Sequence, residues 1–597
     1  MKKEKNSQNQ SAKAIKFILS YILKHKISFV LGILCLIAVD YIQLAIPKII
    51  QDILDSISGN VFQSNVVLYK SLSIVGLALF MVVLRFFWRY FVAGSARKIE
   101  KNIRDDMFKH LQKLSFSFFN KTKTGDLMAL MINDLNAIRM TAGPGLIGMT
   151  DTLFLGTLTI VFMSLISVKL TLFTIIPLFI IVVFLLIFGG KIRDNFKGIQ
   201  ETFASITSFT QETFSGIRVV KGFSQEEAEC DIFEAKCEEY SKKNLKLAKI
   251  WGLVHPLVGF IATFSVLIYL FIGGVFTIQK NITLGEFVRF SFYITNLIWP
   301  MIAIGWVTNI MQQGFASALR VIKLFETKPE IYISSLKDNG QKSTIVNLKL
   351  GKIEIKNLTF FYDDKAVLKD INLTIPAGST LGIIGKHGAG KTTLISLLFK
   401  IFKVGKGVIF VDGKDINKIP SYILRSSIGY VPQDMFLFSD TIENNILLGV
   451  NEEDEEAVQA RVAEYSKMAA LEGDINKFRD GYKTVIGERG ISLSGGQKQR
   501  LSIARSLIIN PDILILDDAF SSVDTQTEQE IINNIREEIK KRTAIIIAHR
   551  ISTVRDCDNI IVLENGRITE SGTHEKLLKN NGYYTKLFNI QKLGDRV

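Results

Sequence analysis

The chain of 597 residues is 48% hydrophobic and carries a formal net charge of +15 at pH 7. This length exceeds what one compact core usually covers, and the apolar content excludes a soluble protein of ordinary composition. Lys and Arg are spread along the chain beside apolar segments, which suits a membrane protein with cytoplasmic loops better than a nucleic-acid-binding protein. We therefore expect part of the chain to lie in a lipid bilayer, and we expect no nucleic-acid partner.

The amino-terminal segment AKAIKFILSYILKHK, residues 12–26, has one apolar and one basic face. It is too short and too charged to cross a bilayer and lacks the cleavage site of a secretory signal, so we expect a helix on the inner membrane surface. Six longer apolar runs follow, each near the roughly 20 residues that a membrane-spanning helix needs. They cover residues 27–50, 66–92, 146–166, 170–190, 253–278 and 284–310.

The positive charges indicate how these spans are oriented. Lys and Arg are dense at the amino terminus and in segments 97–139 and 191–249, whereas the short connections hold little beyond Lys169 and Lys280. Because cytoplasmic loops are enriched in these residues, we expect both termini and both long loops in the cytoplasm. The long loops lack turn-forming clusters, so we expect the helices to continue beyond the membrane to tips near 120–129 and 211–220.

After Phe325 the apolar spans stop. The polar stretch TKPEIYISSLKDNGQKSTIVN follows, and then short β-branched runs alternate with helical patterns. That alternation is typical of an α/β domain. We predict a six-helix α-helical transmembrane domain over residues 1–325, a linker over 326–345, and an α/β nucleotide-binding domain over 346–597.

The stretch LGIIGKHGAGKTTLISLL predicts a strand, a glycine-rich phosphate loop and a helix, with the pattern G-x-x-x-x-G-K-[ST] between Gly385 and Thr392. The glycines let backbone amides approach phosphates, Lys391 neutralises phosphate charge, and Thr392 can bind Mg²⁺. Downstream, ILILDD predicts a strand that delivers Asp517 to the same ion. Together the two motifs predict a site for ATP and Mg²⁺.

A further motif, LSGGQ at residues 493–497, distinguishes one family among phosphate-loop proteins. Around it, in that family's order and approximate spacing, are FFY ending in Tyr362, VPQD with Gln433, TVIGERG, SSVD at residues 521–524, and AHR with His549. On these motifs, essentially the whole chain resembles the ATP-binding cassette (ABC) exporters. It resembles in particular a half-transporter with six membrane helices fused to one nucleotide-binding domain.

The resemblance implies a role for each motif. Tyr362 is expected to stack on adenine, Gln433 to sense Mg²⁺ and the γ-phosphate, and His549 to contact the γ-phosphate. The signature LSGGQ is expected to close over ATP bound to a second domain, which implies a dimer. The implied nucleotide-binding residues are Tyr362, Gly385, His387, Gly388, Ala389, Gly390, Lys391, Thr392, Thr393, Ser494, Gly495, Gly496 and Gln497. The implied metal ligands are Thr392, Gln433 and Asp517, and the implied catalytic residues are Asp518, His549 and Gln433.

Asp518 departs from the family pattern, which usually has Glu after the magnesium aspartate as the general base that aligns the attacking water. The Asp carboxylate is one methylene shorter, and a misplacement of about 1 Å can slow a reaction on the order of 100-fold. We therefore expect a weakly hydrolytic site, as in the degenerate-site subunit of heterodimeric bacterial multidrug exporters, with a different partner chain that carries Glu. The alternative is a homodimer in which Asp518 is an active base. His387 also departs from the Thr, Ser or Asn common at its position.

Polar residues within the apolar spans are candidates for contact with a transported substrate, because intramembrane charge is costly and usually faces a cavity or a partner. Helical spacing places each set of candidates on one helix face. Two alternatives stay open: the residues pair structurally between helices, or Arg289 extends to the outer interface. The candidates are Asp40 and Gln43 in the first span, and Arg289, Tyr293 and Asn296 in the sixth.

Taken together, these features predict ATP-driven export of hydrophobic or amphiphilic compounds, with multidrug substrates first, across the cell membrane. An acidic residue in an apolar cavity favours hydrophobic cations. A homodimeric lipid or peptide exporter is the alternative within the same class. A membrane-anchored regulatory ATPase or a gated channel is the alternative from a different class.

Overall fold

The structure, a computed structural model, describes residues 2–58, 64–331, 351–362, 364–450, 455–487 and 493–594. The chain forms two compact units. The helical unit comprises Met1–Leu111 and Thr124–Thr327, and the α/β unit comprises Gln112–Lys123 and Lys328–Val597. Most of the predicted linker, from residue 332 onward, lies outside the described residues, so the predicted domain boundaries stay predictions.

The first part of the chain is helical throughout its described length. Its helices are α1 (Lys2–Leu23), α2 (Lys26–Ser58), α3 (Ser64–Lys113), α4 (Phe116–Lys121), α5 (Thr124–Ala129), α6 (Leu135–Met140), α7 (Leu146–Ile166), α8 (Val168–Ser215), α9 (Ile217–Gly222), α10 (Glu226–Ile278) and α11 (Leu284–Glu326). Two π-helical turns, Leu130–Asp134 and Thr141–Gly145, join α5, α6 and α7 into one continuous path. At the start of α11, a capping box between Thr283 and Glu286 satisfies backbone N–H groups that would otherwise lack partners.

Within the described residues, five helical stretches are long and apolar enough to cross a membrane. The fourth predicted run, 170–190, falls within α8, where Val168–Ile180 qualifies only as a shorter apolar segment. The helical membrane domain is thus confirmed, whereas the count of six spans stays a prediction. The five stretches are Lys26–Ile57, Asn65–Lys113, Thr124–Ile166, Glu226–Ile278 and Leu284–Glu326.

The long helices extend well past a bilayer, as their charged sequences predict. Helix α3 has 50 residues and α10 has 53, more than twice the roughly 20 that a bilayer core requires. Each predicted tip contains a break between helices: residues 120–129 include the end of α4 and all of α5, and residues 211–220 include the end of α8 and the start of α9. The segment Gln112–Lys123, which contains α4, belongs to the α/β unit although it lies early in the chain.

The α/β unit contains ten strands and ten helices within its described residues from β1 onward. Its strands are β1 (Ile353–Tyr362), β2 (Lys365–Ile375), β3 (Thr380–Gly385), β4 (Ile409–Val411), β5 (Lys414–Asp415), β6 (Ile428–Val431), β7 (Ile513–Asp517), β8 (Thr543–Ile547), β9 (Asn559–Glu564) and β10 (Arg567–Gly572). Its helices are α12 (Lys391–Leu398), α13 (Ser421–Ser426), α14 (Ile442–Ile446), α15 (Glu455–Met468), α16 (Glu472–Ile475), α17 (Gly495–Ile508), α18 (Thr525–Lys540), α19 (Ile551–Val554), α20 (His574–Lys579) and α21 (Tyr583–Gly594).

The strands form two sheets. The smaller sheet is antiparallel in the order β2-β1-β4-β5, and the larger has the order β10-β9-β3-β8-β7-β6, parallel except for β10 at one edge. Every residue of β7 and β8 is buried, as expected for parallel strands covered on both faces. Alternate residues of β7 contribute to two apolar clusters: Leu514 and Leu516 to one, and Ile513 and Ile515 to the other.

This strand order assembles the site. Strand β8 lies between β3 and β7, so the carboxyl ends of all three meet at one edge of the sheet. In open α/β sheets ligands bind at that edge. The phosphate loop follows β3, Asp518 follows β7, and His549 follows β8, so three motifs distant in sequence converge.

Candidate functional site

The phosphate loop has the backbone that its glycines predict. Gly388 and Gly390 have φ of 76° and 101°, in the left-handed region that glycine adopts without strain. Gly385 has no such φ but lies against β9, where an added Cβ would come within 2.2 Å of the Leu563 carbonyl oxygen. Any larger residue would therefore disturb the loop or the sheet.

Lys391 begins α12 and is 8% exposed. Its Nζ donates hydrogen bonds to the carbonyl oxygens of Gly385 at 2.8 Å and Lys386 at 3.1 Å. Burial lowers the pKa of Lys391, while the nearby carboxylates Asp517 and Asp518 oppose that shift. An anionic oxygen in the loop would be a strong partner for this buried ammonium group.

A cavity of about 300 Å³ lies at the carboxyl edge of the sheet. It brings together most of the residues that the sequence predicts for nucleotide and metal binding, together with Val367 and Ile547. Tyr362, Gly385 and the signature residues Ser494–Gln497 are not among its described lining residues. The predicted residues that line it are His387, Gly388, Ala389, Gly390, Lys391, Thr392, Thr393, Gln433, Asp517, Asp518 and His549.

Asp517 ends β7 and is 1% exposed. Burial raises the pKa of its carboxyl group, and a hydrogen bond from Thr392 opposes the shift. Within the described residues its Oδ2 atom has no hydrogen-bond partner. A buried carboxylate oxygen without a partner, beside a threonine hydroxyl, is the donor set that Mg²⁺ accepts with its water ligands, so these residues fit the ion.

Asp518 has φ of 52°, in the left-handed region, which Asp tolerates better than most residues. Its N–H donates to the Ile547 carbonyl oxygen of β8 at 3.0 Å, and its own carbonyl accepts from Ser521 N–H at 3.3 Å. The backbone is therefore tied to the neighbouring strand and to the following turn. Its side chain faces the cavity and interacts electrostatically with Lys391 and His549.

His549 follows β8 and lines the same cavity. Partial burial lowers the pKa of its imidazole, Lys391 and His387 lower it further, and Asp518 opposes them. A neutral imidazole has one donor and one acceptor nitrogen. His549 can therefore donate a hydrogen bond to an anionic oxygen without carrying a full charge.

The signature motif forms the start of α17. The Ser494 hydroxyl accepts from Gln497 N–H at 3.2 Å, while Ser494 N–H donates to Gln497 Oε1 at 2.9 Å, a capping box. Gln497 therefore shapes the helix end, a role that its type and spacing could have predicted. Gly496 packs closely on Ser522, since an added Cβ would lie 3.1 Å from the Ser522 carbonyl oxygen.

Buried Gln499 joins α17 to the turn after β7. Its Nε2 donates to Ser521 Oγ at 2.9 Å, and its Oε1 accepts from Ser522 N–H at 2.9 Å. Sequence reasoning did not select this residue. Its proximity to the SSVD segment depends on the packing of α17 beside β7, which no local pattern specifies.

Tyr362 lies at the end of β1 and is 39% exposed. Its ring contacts Phe360 and Phe402 edge-on, with centroid distances of 5.1 and 5.2 Å. Two aromatic neighbours hold the ring while leaving part of it accessible. That arrangement suits stacking on a planar base.

In the helical unit, four of the five substrate candidates pair between α2 and α11. Gln43 Nε2 donates to Asn296 Oδ1 at 3.0 Å, and Tyr293 Oη donates to the Leu44 carbonyl oxygen at 3.0 Å. Arg289 Nη1 donates to Gln51 Oε1 at 2.7 Å. These contacts match the structural pairing that the sequence left open as an alternative.

Asp40 differs from the other candidates. It is 4% exposed, and within the described residues its Oδ2 has no hydrogen-bond partner. Asp151 on α7 and Arg85 on α3 lie within electrostatic range. Sequence analysis missed both, although the same search for charges within apolar spans could have found them.

The chain matches two family models, "ABC transporter transmembrane region" over residues 29–301 and "ABC transporter" over residues 368–521. It is 38% identical over 580 residues, 97% of each chain, to the "Probable multidrug resistance ABC transporter ATP-binding/permease protein YheI" of Bacillus subtilis (strain 168). It is 33% identical over 601 residues to an "ATP-dependent lipid A-core flippase" of Syntrophus aciditrophicus (strain SB), covering 99% of this chain and 96% of that protein.

Among solved structures, a bacterial Atm1-family ABC exporter with ATP bound superposes with a TM-score of 0.76 at 27% identity, covering 96% of this chain and 99% of that chain. The membrane region and the nucleotide-binding domain therefore both match known exporters along nearly their full length. The α/β unit, with its intact phosphate loop, is accordingly the ATP-binding part. The chain belongs to the ABC transporter family, as an exporter half-transporter with a multi-pass membrane domain and a cytoplasmic domain that couples ATP hydrolysis to transport.

Proposed function

We propose that this half-transporter pairs with a different chain, that the pair exports amphiphilic cations, and that the ATP site of this chain hydrolyses slowly. The observation that carries the proposal is Asp518 in the position of the general base. Its backbone is tied to β8 through Ile547, so the strand has little freedom to move and compensate for the shorter side chain. A displacement of about 1 Å is enough to impair alignment of the attacking water.

The other proposed site residues have the roles that positioning and electrostatic stabilisation require. Lys391 and the loop amides bind phosphate oxygens, and Thr392, Gln433 and Asp517 hold Mg²⁺. When bound, Mg²⁺ would neutralise part of the phosphate charge. His549 contacts the γ-phosphate, and Tyr362 stacks on the base. Ser494, Gly495, Gly496 and Gln497 complete the partner's site, where a Glu is expected.

Helix α4 is the proposed route between ATP binding and transport. Within the α/β unit the Phe116 ring lies 6.0 Å from the Phe402 ring, and Ile331 N–H donates to Ser115 Oγ at 3.0 Å. Phe402 also contacts Tyr362, the proposed adenine platform. A shift of Tyr362 when nucleotide binds would therefore be transmitted to α4 through the ring contacts of Phe402 with Tyr362 and with Phe116.

Asp40 supports cationic amphiphiles as the substrate class. A buried carboxylate oxygen without a partner, in a membrane helix, gains more from pairing with a cation than it would in water. Lipid export is the second candidate, supported by the likeness to the lipid A-core flippase. Inverted vesicles that contain the purified complex distinguish them: ATP-dependent accumulation of a cationic dye supports drug export, and movement of a labelled lipid without dye accumulation supports the alternative.

The pairing is tested by purifying the tagged chain from its native membrane and identifying the proteins that accompany it. We expect a second half-transporter with Glu after its magnesium aspartate. We also expect little ATPase activity from the chain expressed alone. Full activity of the isolated chain as a dimer would exclude the heterodimer, and vesicles that hydrolyse ATP without moving dye or lipid would favour a regulatory ATPase or a channel.

A further inference from the structure

Helix α21, close to the carboxyl terminus, contacts the turn that carries His549. Gln591 Nε2 donates to the carbonyl oxygen of His549 at 2.8 Å, and Gln591 Oε1 accepts from the N–H of Ile551 at 2.9 Å. One amide side chain thus bonds the backbone on both sides of Arg550. The two bonds fix the path of the turn, and therefore the direction in which the His549 side chain leaves it.

The same helix is anchored to the unit at its other end. Tyr584 is fully buried, and its hydroxyl is hydrogen-bonded to His574 Nδ1 at 2.7 Å. Tyr583 N–H donates to Glu570 Oε1 at 2.5 Å, and the Lys386 ammonium lies 5.7 Å from the centre of the Tyr583 ring. Since Lys386 belongs to the phosphate loop, α21 contacts two of the segments that line the ATP cavity.

The opposite side of the histidine turn is held by α18. Glu528, 3% exposed, accepts from Arg550 Nη1 at 2.7 Å and from Thr553 Oγ1 at 2.6 Å. Glu528 bonds the side chains of Arg550 and Thr553, which follow His549 in the chain, whereas Gln591 bonds the backbone carbonyl oxygen of His549. Of these two contacts, Gln591 is therefore the one that acts directly on the histidine's backbone.

We propose that Gln591 is a positioning residue for the ATP site: it holds the turn so that His549 faces the γ-phosphate, and thereby favours ATP over ADP. The proposal rests on the proposed contact between His549 and the γ-phosphate. ADP lacks that phosphate. Loosening the turn should therefore weaken ATP binding and leave ADP binding unchanged.

The test is photolabelling of this chain by radiolabelled azido-ATP in the assembled transporter, with competition by unlabelled ATP or ADP. Gln591→Ala should raise the ATP concentration that halves labelling about fivefold, because two backbone hydrogen bonds are lost. The ADP concentration should not change. Asn589→Ala, which removes an exposed amide from the same helix, is the matched control and should match the wild type.

His549→Ala and the double variant separate positioning from general stability. If Gln591 acts through His549, His549→Ala weakens ATP competition, and adding Gln591→Ala weakens it no further. Equal shifts for ATP and ADP, additive effects in the double variant, or an unchanged Gln591→Ala protein would overturn the inference. No effect of His549→Ala would instead refute the proposed role of His549.

Should Gln591→Ala fail to assemble, a second variant gives the same test. Gln591→Glu keeps the acceptor for Ile551 N–H and loses the donor to the His549 carbonyl oxygen, so it should shift ATP competition in the same direction.

Discussion

At the scale of single residues, the ATP site depends on charges that are buried before any phosphate arrives. Lys391 is bonded to carbonyl oxygens of the phosphate loop, and two neighbouring carboxylates favour its charged form. Asp517 lies beside Thr392 with an oxygen that lacks a partner in the described structure. Lys391 can therefore donate to a phosphate oxygen, and Asp517 can accept from the water ligands of a hydrated cation.

Replacing Lys391 by Ala should weaken ATP binding at this chain's site by at least about tenfold, because a charge-assisted hydrogen bond is removed. Much of the hydrolysis by the assembled pair should survive at the partner's site. Photolabelling of each chain measures binding, and phosphate release measures turnover. Lys403→Ala, at an exposed position of the same unit, is the control. Unchanged labelling of the Lys391→Ala chain would contradict the role assigned to this lysine.

Asp40→Asn should reduce transport of cationic dyes more than transport of neutral compounds of similar size. The substitution keeps the side-chain shape and removes the negative charge that would favour a cation at this buried position. Uptake into inverted vesicles, measured for matched cationic and neutral dyes, gives the comparison. Equal loss for both classes would show that Asp40 serves the packing of α2 rather than substrate recognition.

At the scale of elements, the helical unit contains a close crossing between α11 and the π-helical turn before α7. Thr141 is buried and donates a hydrogen bond from Oγ1 to the Ile310 carbonyl oxygen at 3.1 Å. An added Cβ at Gly314 would lie 1.7 Å from that hydroxyl oxygen. The approach of the two helices therefore requires glycine at this position.

Gly314→Ala should destabilise the helical unit by about 1–3 kcal/mol, the usual cost of inserting a methyl group into a packed contact. Gly305→Ala in the same helix is the control, since no atom lies within 4 Å of its added Cβ. It should be neutral or slightly stabilising, because Ala favours helix over Gly. Thermal unfolding of the purified protein in detergent compares them, and equal midpoints would contradict the packing argument.

Features encoded by adjacent residues could be predicted from the sequence, whereas contacts between residues distant in the chain could not. The phosphate loop and the strand before Asp517 were predictable because each is encoded by adjacent residues, and parallel strand order then brings them together. The specific partners of Gln43 and Gln591, which are Asn296 and His549, could not be predicted, because the packing of helices brings them together. The same holds for Gln112–Lys123, which lies in the first half of the chain but belongs to the α/β unit.

For the whole molecule, we propose that the signature and the phosphate loop of one chain serve different sites. Ser494–Gln497 do not line the cavity around Lys391 in the described structure, and they form the capped start of α17. The family therefore implies two sites for each working transporter. The intact signature here would complete the partner's site, while the site of this chain carries Asp518.

Asp518 is proposed to contribute little to turnover. The most direct measurement is steady-state ATPase activity of the co-expressed pair with substitutions in each chain, after photolabelling has shown that nucleotide still binds. Asp518→Ala should change turnover little, because a slow site has little general-base catalysis to lose, whereas removing the partner's Glu should nearly abolish it. Asp518→Glu should raise hydrolysis at this site by restoring reach. If Asp518→Ala is as damaging as the partner substitution, Asp518 is a working base and the two sites are equivalent.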